Sequence, residues 1–226
     1  MPARNTVKQY AENGYYHIYN RGVEKRSTFQ DSQDYSVFLS YLKEYLLSKD
    51  EQGLREKLND PETSYKEKDK IIRILRLNNF SDEITLITYC LMPNHFHLFI
   101  KQSNPQSINK FMQSFTTRYT AYFNRKYKRV GSLFQATYKA VLVNREDQFL
   151  YLTKYIHKQA LASQGLTLQG QPSSYEEYLG LRETAWIHPE EVLSYFSKTN
   201  PKLSYKSFVE NESDDYEIIK KIKIED

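Results

Sequence analysis

The chain has 226 residues, of which 32 are Lys or Arg and 28 are Asp or Glu, so its formal net charge at pH 7 is +4. This length suits one domain with additions and is sufficient for a hydrophobic core. No apolar run approaches the length that spans a bilayer, the N-terminus shows no apolar signal region, and the single Cys90 excludes an intramolecular disulfide. We therefore expect a cytoplasmic protein without a membrane segment.

The first predicted elements are a strand and a helix. Residues 15–19 are aromatic and β-branched, as in a strand, and Asn20-Arg21-Gly22 ends it. Apolar residues from Tyr35 to Leu46 recur at helical spacing and predict a helix, which Asp31-Ser32 can cap. Residues 49–80 are charged and contain Gly and Pro, with helical spacing only near their end, and we interpret them as a surface insertion.

Two strands, a long helix, a strand and a further helix are predicted next. Residues 84–91 and 95–101 are joined by a Met-Pro-Asn turn and form a predicted hairpin. The apolar spacing of residues 108–123 indicates an amphipathic helix, and residues 136–143 are predicted as a fourth strand. Asn144 can cap the last helix.

This order of elements predicts an α+β fold with a ferredoxin-like, split βαβ sheet that has helices on one face. The last helix is an addition to that fold. We assign residues 1–160 to the domain and residues 161–226 to a C-terminal extension, in which acids outnumber bases by 12 to 7. From about Glu210 the extension is polar enough to be partly disordered.

Basic residues are concentrated between Lys101 and Ala160, where eleven Lys or Arg face two acids. The cations alternate with Tyr and Phe, which supplies charges for phosphates and rings for bases. A solvated helix face with its aromatic residues in the core is the alternative, and it suits the stretch from Arg118 to Tyr127 taken alone. The size of the whole excess favours a nucleic acid as the partner.

Two histidines on one strand and two polar residues on one helix could form a metal site. His95 and His97 share a strand face because side chains alternate, and Tyr155 and Gln159 share a helix face because they are four residues apart. A neutral imidazole is the commonest side-chain ligand of a divalent metal. A pair of histidines also occurs as hydrogen-bonded core groups, and an isolated Gln on a helix is usually just exposed.

Tyrosine becomes an effective nucleophile toward a phosphodiester when a metal polarises the phosphate. This pairing would explain histidines and a tyrosine in one site. Among 20 Tyr, however, the pattern does not distinguish Tyr155 from Tyr151 or Tyr138. His17 and His157 are interpreted as a polar group on a strand face and a basic helix residue.

The chain resembles the REP-associated tyrosine transposases, within the insertion-sequence-200-like single-tyrosine transposases. The resemblance covers residues 15–180 apart from the insertion, and its most specific part is the string Leu91-Met92-Pro93-Asn94-His95-Phe96-His97-Leu98. The other matching stretches are Tyr16-His17-Ile18-Tyr19-Asn20-Arg21-Gly22, Phe123-Asn124-Arg125, Gly131-Ser132-Leu133-Phe134-Gln135-Ala136-Thr137-Tyr138-Lys139 and Tyr155-Ile156-His157.

This resemblance implies an HUH-type site. In it, His95 and His97 bind Mg²⁺ or Mn²⁺, Gln159 is the third ligand, and Tyr155 attacks DNA to form a 5′-phosphotyrosine with a free 3′-OH. REP-associated members often have Asn-Pro where this chain has Gln159-Ala160. The Gln is more like that of the mobile insertion-sequence enzymes, and either side chain provides an amide oxygen. Mobile relatives imply a homodimer and REP-associated relatives a monomer.

We expect a metal-dependent, nucleoid-associated transposase or nuclease that cleaves and rejoins single-stranded DNA, at hairpin-forming repeats. The alternatives are a catalytically silent hairpin-DNA-binding protein and a metal hydrolase of small phosphates. The residues expected to contact DNA are Asn20, Arg21, Arg118, Arg125, Lys126, Lys128, Arg129, Tyr138, Lys139, Lys154 and Lys158.

Overall fold

A computed structural model describes residues 10–162 and 171–211. Its central feature is a sheet of four antiparallel strands in the order β2-β3-β1-β4. The strands are β1 (Tyr15–Arg21), β2 (Ile84–Met92), β3 (His95–Gln102) and β4 (Lys139–Val143). Helices lie between β1 and β2 and between β3 and β4, and with this strand order the predicted ferredoxin-like arrangement is confirmed.

Helices cover both faces of the sheet. The longer ones are α1 (Ser32–Leu46), α2 (Glu51–Asn59), α3 (Tyr65–Arg76), α4 (Ser107–Lys126) and α5 (Glu146–Ala162). Three short helices follow, namely α6 (Tyr175–Tyr178), α7 (Glu190–Leu193) and α8 (Tyr205–Glu210), and 3-10 turns occupy Val23–Lys25 and Pro201–Leu203. Over the described stretches, every helix is too short or too polar to cross a bilayer.

The alternation of side chains along β3 determines what each face of the sheet contacts. Phe96 and its alternate neighbours are buried in a core formed with α1 and α4, where the Phe96 ring lies 5.4 Å from that of Phe38. Phe99 is in a second core with α5, and its ring lies 5.2 Å from that of Phe149. His95 and His97 share the face of Phe99, so they point toward α5.

Two predicted elements differ from the structure. β4 begins at Lys139 rather than at residue 136, because the preceding backbone is engaged elsewhere: Gln135 N donates to the Arg21 carbonyl, and Phe134 forms an isolated bridge with Gly22. The segment 49–80 contains two helices, whereas helical spacing is visible only near its end. The sequence pattern misses α2 because that helix buries no residue.

Residues of the C-terminal extension line the outer edge of β2. Leu91 N donates to the Pro172 carbonyl at 2.9 Å, and Ser174 N donates to the Tyr89 carbonyl at 3.1 Å. Further along, His188 N donates to the Leu86 carbonyl at 2.9 Å. Side chains of α6, α7 and α8 are buried in the core of α5. Disorder is expected from about Glu210, but Glu210 is the last residue of α8, and residues 212–226 lie outside the described residues.

The start of α1 is tied to the end of α4 by a buried carboxylate. Asp31 caps α1 by accepting from Asp34 N, and the Asp34 side chain is fully buried. Lys126 Nζ lies 2.8 Å from Asp34 Oδ1, and the Tyr127 hydroxyl donates to Asp34 Oδ2 at 2.7 Å. Burial alone would raise the pKa of Asp34, but the hydrogen bonds from Lys126, the Gln30 backbone and the tyrosines hold it below its ordinary value.

We expect Asp34→Asn to lower the free energy of unfolding at pH 7 by about 3 kcal/mol, because it removes the buried charge that Lys126 and two tyrosines bind and leaves Lys126 only the exposed Asp31. Since the native pKa of Asp34 is depressed, its stabilisation is present above the ordinary pKa of Asp and is lost as the pH falls through the native value. Urea unfolding at pH 7 and pH 3 measures both effects. Glu62→Gln, at an exposed site, is the control and should change stability by less than about 0.5 kcal/mol.

Candidate active site

The two histidines of β3 lie side by side below α5. Their ring centroids are 5.0 Å apart, with the ring planes at 87°. His95 is half-buried and begins the strand, and its Nδ1 lies 2.6 Å from Asn94 Oδ1. Asn94 Nδ2 donates to the Lys25 carbonyl, so the amide oxygen faces His95. Because that oxygen can only accept, His95 carries a proton on Nδ1, and in the neutral ring the lone pair is then on Nε2.

His97 is fully buried, and it is neutral at pH 7. Burial is the largest cause, and the neighbouring His17 and His95 add to it, so that the pKa of His97 lies well below its ordinary value of 6.5. A neutral imidazole has a lone pair to offer a metal. The environment of His97 therefore suits a ligand rather than a cation that binds phosphate.

Helix α5 brings a tyrosine to these histidines. Phe149, Leu152 and Ile156 are buried in the core beneath the helix, which fixes its rotation about its own axis. Tyr155 then faces the sheet, with its ring centroid 5.6 Å from that of His97 and the two rings at 84°. Tyr155 is in the third turn of α5 and is 5% exposed. Gln159 follows one turn later and is half-buried.

The donors present fit a divalent metal ion. Within residues 10–162 and 171–211, no three His, Cys, Asp or Glu side chains form a metal-binding cluster, so a carboxylate-rich site is not available. A neutral imidazole at His97, the Nε2 of His95 and the amide oxygen of Gln159, one turn after Tyr155, are donor types that suit such an ion and leave coordination positions for phosphate or water oxygens. The arrangement also matches the rule that a ligating imidazole donates its other N–H to an oxygen, as His95 does to Asn94.

Two of the predicted DNA contacts lie beside the histidines. Arg21 pairs with His95 and Tyr19 with His97 in the β1–β3 register, and Lys139 pairs with Tyr19 on the other side of β1. Lys139 is exposed, and its Nζ lies 5.5 Å from the centroid of the Tyr19 ring. Directly opposed residues share a face of the sheet, so Arg21 and Lys139 contribute positive charge to the histidine face.

Several other predicted DNA contacts make contacts within the protein. Arg118 binds Glu44 at 2.6 Å and stacks on a tyrosine ring of α1, and Lys126 binds Asp31 and Asp34. Tyr138 is buried, and its hydroxyl donates to Asn109 Oδ1. Asn20 and Lys154 are also buried: the Asn20 amide donates to the Ala136 carbonyl, and Lys154 Nζ lies 5.0 Å from the centroid of the Phe208 ring.

The remaining predicted DNA contacts are at least partly accessible. Arg125 and Lys128, at the end of α4, are exposed. Arg129 is partly buried, and its guanidinium donates to Asn124 Oδ1 at 3.1 Å. Lys158, on α5, donates to the Asn211 carbonyl at 3.3 Å. The predicted basic segment therefore divides into cations that stabilise the fold and cations that a nucleic acid could reach.

Two histidines gain contacts that their sequence context does not indicate. His17 Nε2 lies 2.8 Å from His97 Nδ1, and both rings are buried. His157, interpreted as a basic helix residue, is fully buried between Ser174 Oγ at 2.9 Å and the Tyr205 hydroxyl at 2.7 Å. Burial lowers the pKa of His157 to about 3, so this residue is neutral and links α5 to the extension.

One family model matches part of the chain. Residues 55–159 match the family model described as IS200-like transposase, a stretch that includes the His pair, Tyr155 and Gln159. The resemblance to the insertion-sequence-200-like transposases is thereby confirmed over this stretch, which is just under half of the chain.

The structure is also similar to two solved structures. One is a REP-associated tyrosine transposase bound to a REP hairpin, with 11% identity and a TM-score of 0.43 over 81% of this chain and 96% of that chain. The other is a putative transposase from Deinococcus radiodurans R1, with 14% identity and a TM-score of 0.28 over 69% of this chain and 97% of that chain. No curated protein matches the chain.

Proposed function

We propose that this protein is a metal-dependent transposase that cleaves and rejoins single-stranded DNA through a 5′-phosphotyrosine at Tyr155. The observation that carries the proposal is the position of the Tyr155 ring, 5.6 Å from that of His97 within the family-matched stretch. A helix and a strand that are distant in sequence thus bring a phenol beside a neutral imidazole, which supports the proposal. We further propose that the DNA contains hairpin-forming repeats, because the sequence motifs resemble those of the REP-associated transposases.

His95, His97 and Gln159 would hold Mg²⁺ or Mn²⁺. When bound, such an ion supplies polarisation of the scissile phosphate and stabilises its developing negative charge. The protein's part is to orient the donors: Asn94 sets the proton of His95 on Nδ1, and burial keeps His97 neutral. Arg21 and Lys139 add positive charge on the same face, where the DNA backbone would approach.

Cleavage forms one bond and breaks another. The Tyr155 phenol oxygen bonds to phosphorus while the bond from phosphorus to the 3′ oxygen breaks. The phenol proton passes to solvent and the leaving oxygen takes a proton. The cut strand is then in two fragments: one ends in a 3′-OH, and the other is linked through its 5′ phosphate to Tyr155. Attack of a 3′-OH on this phosphotyrosine reverses the step, so rejoining requires no nucleotide cofactor.

Binding of single strands should fall steeply with salt, because each phosphate contact contributes roughly 0.7 to the slope of log K against log salt. We expect Lys139→Ala and Arg21→Ala each to reduce that slope by about this amount. Arg118→Gln removes an equal charge at a residue that is paired with Glu44, and it should leave the slope unchanged. Fluorescence anisotropy across a salt series measures these slopes. A slope near zero for the wild type would instead indicate a small ligand or a protein partner.

The decisive test is a denaturing gel. End-labelled single-stranded DNA that contains a hairpin from the flanks of the gene is incubated with the protein and Mg²⁺ or Mn²⁺, with EDTA as the control. The proposal requires a labelled band at the mass of the protein plus DNA, dependent on the metal. Without such a band, the proposal fails.

A hairpin-DNA-binding protein without cleavage activity is the second candidate. The observation that favours it is the burial of Tyr155, whose side chain is only 5% exposed. A nucleophile must reach the phosphate. A binding protein without cleavage activity would keep α5 in place when DNA binds, so that Tyr155 stays covered. Tight binding without any covalent band would establish it.

A further inference from the structure

His17 lies next to His97 on the neighbouring strand β1. Its Nε2 is 2.8 Å from His97 Nδ1, and the two rings lie edge to edge, with centroids 5.1 Å apart and planes at 20°. His17 is 2% exposed and His97 is fully buried, so water does not compete for this hydrogen bond. The contact joins β1, which lies outside the family-matched stretch, to one of the proposed metal ligands.

This hydrogen bond has two possible directions, with different consequences for His97. Between two neutral imidazoles, one ring N–H donates to the lone pair of the other. If His17 Nε2–H donates, the proton of His97 is on Nε2, and that nitrogen cannot bind a metal. If His97 Nδ1–H donates, His97 Nε2 carries the lone pair. Only the second direction is compatible with His97 as a ligand through Nε2.

We propose that His17 is a positioning residue that accepts the proton of His97 Nδ1 and so holds His97 in the tautomer and ring orientation that bind a metal. This inference rests on the proposed function, because it assigns a role toward the ion that function requires. The same arrangement applies to His95, whose Nδ1–H donates to Asn94. Each histidine of the pair would then have an acceptor for its distal N–H, one an amide oxygen and the other an imidazole nitrogen.

The nearly parallel neighbouring rings support a positioning role. The Tyr19 ring lies 4.8 Å from that of His17 at 29° and 5.9 Å from that of His97 at 28°. Three nearly parallel rings on two strands restrict rotation of His97 about its side-chain bonds. The Tyr155 ring meets both imidazoles at steep angles, 84° to His97 and 78° to His17. A change at His17 should therefore affect the site through the orientation of His97.

Nuclear magnetic resonance of the metal-free protein tests the direction of the bond. Long-range ¹H–¹⁵N correlation of ¹⁵N-histidine-labelled protein distinguishes a protonated ring nitrogen from an unprotonated one. We expect His97 to be protonated on Nδ1 and His17 to be unprotonated on Nε2. A proton on His97 Nε2 would overturn the proposal, and this measurement requires no variant that could fail to fold.

Two variants test the consequence for metal binding. His17→Leu removes the acceptor, and His17→Gln keeps an amide oxygen at a similar distance along the side chain. We expect the Mn²⁺ affinity, measured by electron paramagnetic resonance without DNA, to fall roughly 10–100-fold in His17→Leu and to recover largely in His17→Gln. His188→Gln, which removes an exposed histidine elsewhere, is the matched control and should bind Mn²⁺ as the wild type does.

The outcomes separate this inference from the proposed function. If the wild type binds Mn²⁺ and folded His17→Leu binds it equally well, His17 has no positioning role, whereas the metal site stands. If the wild type binds no Mn²⁺, the proposed function fails and the role of His17 toward a metal fails with it. Far-ultraviolet circular dichroism and thermal unfolding verify that each variant is folded before its affinity is interpreted.

Discussion

Tyr155→Phe should abolish the covalent protein–DNA band completely while leaving the fold and DNA affinity close to those of the wild type. The substitution removes one oxygen and keeps the ring, so the contact with the His97 ring is retained. No route through water leaves DNA attached to the protein, so the loss should be total rather than partial. The measurement is the denaturing gel with labelled hairpin DNA, accompanied by anisotropy for binding.

Two other tyrosines provide matched controls for this loss. The Tyr151 ring, one turn earlier on α5, lies 5.5 Å from that of Phe208, and the Tyr138 hydroxyl donates to Asn109. Tyr138 belongs to the core on the opposite face of the sheet, and Tyr151 contacts Phe208 of the extension, so Tyr151→Phe and Tyr138→Phe should still form the adduct. If Tyr155→Phe forms the adduct and one of these variants does not, the nucleophile is that other tyrosine.

His95→Ala and the double variant with His97→Ala should lower metal-dependent cleavage by at least about a hundredfold, since polarisation of the phosphate contributes several kcal/mol to the transition state. Single-strand affinity should change little, because phosphate contacts come from cations such as Lys139. Gln159→Ala should weaken cleavage without abolishing it, as a neutral amide is a modest ligand. Single-turnover rates in Mg²⁺ or Mn²⁺ measure all three.

His188→Ala is the control for the loss of a histidine, and its cleavage rate should equal that of the wild type. His95→Ala is the more informative single change. His95 is half-buried whereas His97 is in the core, so loss of the His95 side chain should disturb the fold less. A double variant that still cleaves at the wild-type rate in Mg²⁺ would rule out this histidine pair as the metal site.

Local periodicity was sufficient to predict the elements that form the site. The two-residue repeat of β3 places His95 and His97 on one face, and helical spacing places Tyr155 above Gln159. The partnership of His17 with His97 could not be predicted, because it depends on the register between β1 and β3. A shift of that register by one residue would turn His17 to the other face.

The basic segment shows a second limit of local patterns. Arg118 and Lys126 belong to a run of positive charge on α4, and their acidic partners are on α1, more than seventy residues earlier. Such pairs form only once the helices pack, so a count of neighbouring charges does not reveal them. His157 is similar, because residues of the C-terminal extension convert an apparently basic helix position into a buried neutral one.

The backbone hydrogen bonds that β2 makes with Pro172, Ser174 and His188 determine where a further strand can join this sheet. With these groups already engaged, an additional strand from another chain cannot add to β2 without displacing the extension. Among the described residues, β4 pairs with β1 alone, so the other side of β4 is where a strand could add. Since β4 has five residues and begins with a lysine, any such addition would be short, which also limits edge-to-edge aggregation.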